Sequence, residues 1–151
     1  MDLYYSVWLM MIVSFVIQYF VMSLIMSNSI ANITFSIGKF YLSVIMALLM
    51  GFVEVFMFDF HIYGHFVSSF YYLSLSLALF VFLYLYRTQM YIYDEEYLKE
   101  MIEHHSMALL TSEEILQKTN SERVKKLAEN IVSTQEAEIN YMKQMLHHKQ
   151  Y

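Results

Sequence analysis

The chain has 151 residues, 58% of them hydrophobic and 15% charged, and a formal net charge of −5. A charged share well below the ~25% of soluble domains points to a membrane, and the acidic balance argues against a nucleic-acid partner, because neutralising phosphates takes clustered Lys and Arg. With no cysteine, disulfide frameworks, Cys-based zinc sites and thiol catalysis are excluded, and any soft-metal chemistry must rest on histidine and the 13 methionines.

The charge is unevenly spread. Between Leu3 and Tyr86 only Lys39, Glu54 and Asp59 are ionised types, whereas Glu and Lys are frequent from Arg87 onward. This predicts a membrane region over residues 1–88 and a soluble domain over 89–151. Crossing a ~30 Å hydrocarbon core takes about 20 apolar residues, and three segments qualify: about 4–26, 39–58 and 66–86. The first is longer than the ~7–15 apolar residues of a signal peptide and has Asp2 rather than a cation before it, so it reads as a retained anchor. Tyr4, Tyr5 and Trp8, and Tyr84, Tyr86, Tyr91 and Tyr93 at another end, resemble interfacial aromatic belts. A tight turn is expected over Phe60–His65. Three spans place the termini on opposite sides, and Lys39 and Arg87 are too few to fix which side holds the tail.

The tail reads as an antiparallel pair of amphipathic helices. Asp94 is the expected N-cap of the first, with Glu95 and Glu96 in its first turn. Leu98, Met101, Ile102, Leu109 and Ile115 recur at helical spacing. After a break at Lys118–Ser121, Thr119 and Glu122 fit a capping box. The second helix carries Val124, Leu127, Ile131, Met142 and Met145 on one stripe. Neither helix can bury its face alone, so a homo-oligomer is expected, a four-helix bundle if dimeric. The architecture is thus all-α: three spans in the lipid bilayer and a helical hairpin outside it.

The chemistry concentrates around Met101–Met107. Met101 and His105 are one turn apart, as are His104 and Met107, giving a band of thioether and imidazole suited to Cu(I) or a similar soft ion. On the second helix, continuing the apolar stripe leads through Gln135 and Glu138 to Met142, so two polar groups occupy positions of a buried face and need partners. Equidistance from the turn sets His104 level with Gln135 and Met101 with Glu138. The competing reading is a hydrogen-bonded His–carboxylate pair with methionine as adaptable core filler. His147 and His148 sit near the chain end, and His61 and His65 read as interfacial loop residues. Within the second span, Glu54 is a candidate intramembrane site by default, with Met46, Met50 and Met57 on its helical face; ordinary helix packing explains the same stripe. No Glu-x-x-His pair, His-Glu-x-x-His, phosphate loop or Gly-x-Ser-x-Gly is present, so no enzyme is expected and no catalytic residue is assigned.

Tyr97–Ala108, with Met101-Ile102-Glu103-His104-His105-Ser106-Met107-Ala108 at its centre, resembles the Met-Ile-x-His-His-x-x-Ala signature of the domain of unknown function family 305. Leu127-Ala128, Ile131, Gln135, Glu138-Ile139 and Met142 continue the match. Met46–Gly51 and Arg87-Thr88-Gln89 resemble the second span and third-span exit of that family's membrane-anchored branch. The resemblance implies a ferritin-like helical bundle and copper or silver handling, with His104, His105, Gln135, Glu138 and Met142 at the matching positions. It also implies a bacterial inner-membrane protein with a non-cytoplasmic tail. Glu103 departs from a frequent proline and Glu54 from a usually apolar position. The function expected on this basis is membrane-anchored soft-metal binding: ligands His104, His105, Met101, Met107 and Met142, oriented by Gln135 and Glu138. The alternative is a non-catalytic structural membrane protein whose tail dimerises with the His/Glu/Gln cluster as a polar lock.

Overall fold

A computed structural model describes residues 2–62 and 68–149. Among these the chain is all-α, with five helices and no strand: α1 (Leu3–Met26), α2 (Ile37–Ile62), α3 (Ser69–Arg87), α4 (Asp94–Leu116) and α5 (Glu122–His148). Helices α1, α2 and α3 are each long and apolar enough to cross a membrane. A five-residue π-helical stretch, Ile17–Val21, interrupts α1.

The chain forms two compact units: residues 1–21 with 38–91, and residues 22–37 with 92–151. The segment 22–37, which a division at residue 88 assigns to the membrane region, therefore packs with the tail.

In the first unit, Val7 of α1, Leu48 and Val55 of α2, and Leu75 of α3 share one core. The helix α2 is the most enclosed of the three, while α1 and α3 leave most of their apolar surface uncovered. Gly51 is the point of closest approach. A Cβ there would lie 3.1 Å from Met11 Sδ and 3.3 Å from Leu75 Cδ2, so its absence lets the neighbouring side chains in. At the far end of α2, Asp59 is fully buried and accepts from the Ser68 backbone N–H (3.1 Å) and hydroxyl (2.6 Å). Phe60, His61 and Ile62 are helical, where a turn was expected; Tyr63–His65 and the start of the third span at Phe66 lie outside the described residues.

In the second unit, α5 packs back along α4. Leu98, Ile102 and Leu109 meet Ile139 and Met142, with Met101, Val132, Met145 and Leu146 packed around them. Along α4 the inward line runs Leu98, Ile102, His105, Leu109, Ser112, in alternating steps of four and three, which is the spacing that keeps one seam against a neighbouring helix. The buried residues of α5 are Ala128, Ile139 and Met142. The expected stripe through Val124 and Leu127 instead faces outward, Leu127 being 60% exposed, because Ala128 and Val132 allow closer approach on the adjacent seam.

Two caps differ from expectation. Tyr93 stands at the N-cap of α4, and Asp94 is its first helical residue, contributing charge with Glu95 and Glu96 to the first turn. For α5 the cap is Ser121, whose hydroxyl accepts from Val124 N–H, while Thr119 Oγ1 accepts from Ser121 N–H at 3.1 Å.

Candidate functional site

The tail carries two polar clusters on different faces of α4. The first faces α5. Nδ1 of His105 lies 2.7 Å from the Met101 carbonyl oxygen, and Nε2 lies 2.7 Å from Glu138 Oε2. Both neighbours are acceptors, so a ring protonated on both nitrogens satisfies both contacts and a neutral ring only one. The His105 side chain is 14% exposed and that of Glu138 51%. The pairing expected between His104 and Gln135, and between Met101 and Glu138, is replaced by His105 with Glu138. His105 lies on the inward seam; His104 is turned about 100° away and is exposed. Both paired side chains also lean toward their own helix N-termini, which shifts the meeting point from the equidistant position.

The second cluster joins α4 to the segment between α1 and α2, and no sequence signal was read there. Ser106 is fully buried. Its hydroxyl contacts Ser27 Oγ at 2.6 Å and Asn28 Oδ1 at 2.7 Å, and accepts from Asn28 N–H and Asn32 Nδ2. Glu103 accepts from the Ser23 hydroxyl and from Thr34 N–H (3.1 Å). The Thr34 hydroxyl donates to the Lys99 carbonyl at 2.6 Å, and Glu96 accepts from Ile37 N–H at 2.7 Å. Lys143 of α5 reaches Asn32 Oδ1. Glu96, Lys99, Glu103 and Ser106 are spaced by three and four residues, so one stripe of α4 holds a whole irregular segment whose backbone would otherwise lack partners.

The electrostatics follow the geometry. Lys99 is held above its ordinary range, first by its hydrogen bond to Glu95 and then by that to Glu96, with burial opposing. The Glu100 carboxyl is pushed up, chiefly by burial and further by Glu103 and Glu96; His104, one turn along, pulls it down.

The other residues expected as metal ligands are divided between the hairpin core and its surface. Met142 is buried in the hairpin core, Met101 is packed against it, and Met107 is half-buried. Gln135 is half-buried as well. Among the described residues no group of three His, Asp or Glu side chains is placed to hold a metal ion. His147 and His148 are exposed at the end of α5, their rings 4.8 Å apart. His61 is exposed in the last turn of α2, and His65 lies outside the described residues. In the apolar unit, Glu54 of α2 accepts a hydrogen bond from the Ser6 hydroxyl of α1. Met46 and Met57 face outward, and Met50 is half-buried one turn before Glu54.

These features define an all-α protein with three apolar helices and a polar-latched helical pair. The chain belongs to the DUF305 family, a domain of unknown function whose sequence profile matches residues 85–146. An uncharacterized protein of Acanthamoeba polyphaga mimivirus is 32% identical over 138 residues, covering 91% of this chain and 89% of the relative. The similarity thus extends through the three apolar helices as well as the tail. No solved structure matches the chain.

Proposed function

We propose that the chain is a non-catalytic, multi-pass membrane protein whose tail is an assembly and binding module, with His105 and Glu138 as its polar lock. The observation that carries this reading is the double engagement of the His105 ring by the Met101 carbonyl and Glu138. The His105 ring is engaged at both nitrogens by groups of its own hairpin, which is what a lock between two helices requires and what an open ligand set does not. A topology with the 22–37 segment and the tail on one side of the bilayer is supported by the hydrogen bonds between that segment and α4 and is what three spans would require. Association of two tails into a ferritin-like four-helix bundle, and a non-cytoplasmic tail in a bacterial inner membrane, are carried from the family resemblance.

A second reading, soft-metal binding, is favoured by one observation. His104 is exposed and has thioethers three residues away on either side, Met101 and Met107. Imidazole with thioether suits Cu(I) or Ag(I). Recruitment of His105 would require breaking its contact with Glu138.

One experiment separates the two. The full chain in detergent is titrated with Cu(I) and Ag(I), alongside its His104→Ala and His105→Ala variants, and thermal melting is followed in chelator and in metal. The lock reading expects His105→Ala to lower the melting temperature in chelator, with no metal-dependent stabilisation of the parent. Tight soft-metal binding that His104→Ala abolishes would replace it with the metal reading.

A further inference from the structure

The loop between α1 and α2 is built inside out. Residues 27–36 carry no charge, and most of their polar side chains turn inward: Asn32 and Ser36 are buried, and Ser27, Asn28 and Thr34 are half-buried. What shows on the outside is mainly apolar. Ile30 is 78% exposed and Phe35 60%, with Ser29 and Ala31 beside them. A loop in water is expected the other way round, its polar groups solvated and its large apolar ones covered. The backbone is equally unlike that of a solvated turn. The amide N–H groups of Asn28, Thr34 and Ile37 donate to Ser106, Glu103 and Glu96 of α4, and those of Ala31, Asn32 and Ile33 donate within the segment. Water would satisfy such donors unaided. Hydrocarbon would not, and irregular backbone is tolerated at membrane depth only where protein supplies its partners.

We infer that Ile30 and Phe35 insert into the lipid interface, so that the segment is a wedge between the bilayer and α4. The inference rests on the multi-pass reading above and adds which face of the tail is turned to lipid. Chain length selects the bilayer over a soluble partner. Ile30 is four residues from Met26, the last of α1, and Phe35 is two from Ile37, the first of α2. Even fully extended, four residues reach no more than about 14 Å, so neither side chain can leave the neighbourhood of the two helix ends. The apolar surface is also continuous along the chain, because Leu24 and Ile25 in the last turn of α1 are more than half exposed. An apolar face of this kind settles about 5–10 Å into the boundary between headgroups and acyl chains. The other side of the hairpin is then left to water. His104 is turned about 160° from Ser106 around α4, and Leu127 and Tyr141 by the same angle from Lys143 around α5; all three are exposed.

The chain has no cysteine, so single nitroxide labels can be placed without other changes. Ile30→Cys, Phe35→Cys, Leu77→Cys and Leu127→Cys, each at an exposed position, are made in the full chain, labelled and reconstituted in phosphatidylcholine vesicles. Electron paramagnetic resonance then compares collision with oxygen, which concentrates in lipid, and with a water-soluble nickel chelate present on both sides of the membrane. Labels at Ile30 and Phe35 should favour oxygen, as should Leu77 on α3, whereas Leu127 should favour nickel. A label at Ile30 that favours nickel while Leu77 favours oxygen would overturn the inference and leave the multi-pass reading standing. Nickel preference at Leu77 as well would remove both. Collision with neither reagent at Ile30 would mean that protein rather than lipid covers it, and oxygen preference at Leu127 that the hairpin does not keep that side in water; either result would also overturn the inference.

Discussion

His105 and Glu138 meet across the tail hairpin with Nε2 2.7 Å from Oε2, and the same imidazole turns its other nitrogen to the Met101 carbonyl. The pair joins α4 to α5 at the midpoint of α4, between the apolar contacts of Ile102 and Leu109. His105→Ala is expected to destabilise the tail by about 1–2 kcal/mol, since a charge-assisted bond contributes more than a neutral one but Glu138 is half in water. Glu138→Gln should cost less, because an amide oxygen can still accept. Chemical denaturation of the full chain in detergent, followed by circular dichroism, measures both; equal stability of His105→Ala and the parent would remove the lock.

The latch on the other face makes a stronger demand. Ser106 is fully buried among Ser27, Asn28 and Asn32, and replacing it with Val leaves those groups without their shared partner. The expected cost is about 1–3 kcal/mol. Hydrogen exchange should rise first at the backbone amides of Asn28, Thr34 and Ile37, which now donate to α4. Unchanged protection there would show that the segment holds its shape without α4.

Glu100 gives a dependence on pH with a definite sign. Its folded carboxyl is raised above the ordinary value, mainly by burial. The folded state therefore binds a proton more readily than the unfolded chain, and the stability associated with this group is present below the ordinary carboxylate range and lost as pH rises through the raised value. Glu100→Gln should be more stable than the parent at neutral pH and should lose that part of the pH dependence. Melting temperatures of the two proteins between acidic and neutral pH decide it, and parallel curves would count against burial as the cause.

Gly51 allows a graded test of the apolar unit. An added Cβ meets only the movable side chains of Met11 and Leu75, so Gly51→Ala should cost less than about 1 kcal/mol. Gly51→Leu should cost several-fold more, because the extra branches have nowhere to go. Resistance to denaturation by detergent exchange compares them, and equal tolerance of both would mean that the contact is loose.

The sequence carries the helices legibly because their signals are local: long apolar runs for α1 to α3, and three-four spacing with a polar break at Lys118–Ser121 for the tail. Facing partners were harder. Equidistance from the turn matched His104 with Gln135, whereas the structure pairs His105 with Glu138, since the choice of seam depends on small residues such as Ala128 that periodicity weighs too lightly. The latch was not legible at all. Its members, Ser23, Asn28, Asn32 and Thr34 on one side and Glu96, Glu103 and Ser106 on the other, lie some sixty to eighty positions apart in the chain. Serine and asparagine in a loop ordinarily pass for solvated turn residues.

That separation also sets an order in time. The segment around Asn28 leaves the ribosome roughly eighty residues before Ser106, which at about 5–20 residues per second is a wait of several seconds. Throughout that interval its serines, asparagines and open backbone amides have only water or chaperones to satisfy them. A nascent chain interrupted before α4 would display this unfinished loop, so synthesis of α4 is marked by the disappearance of one short polar stretch.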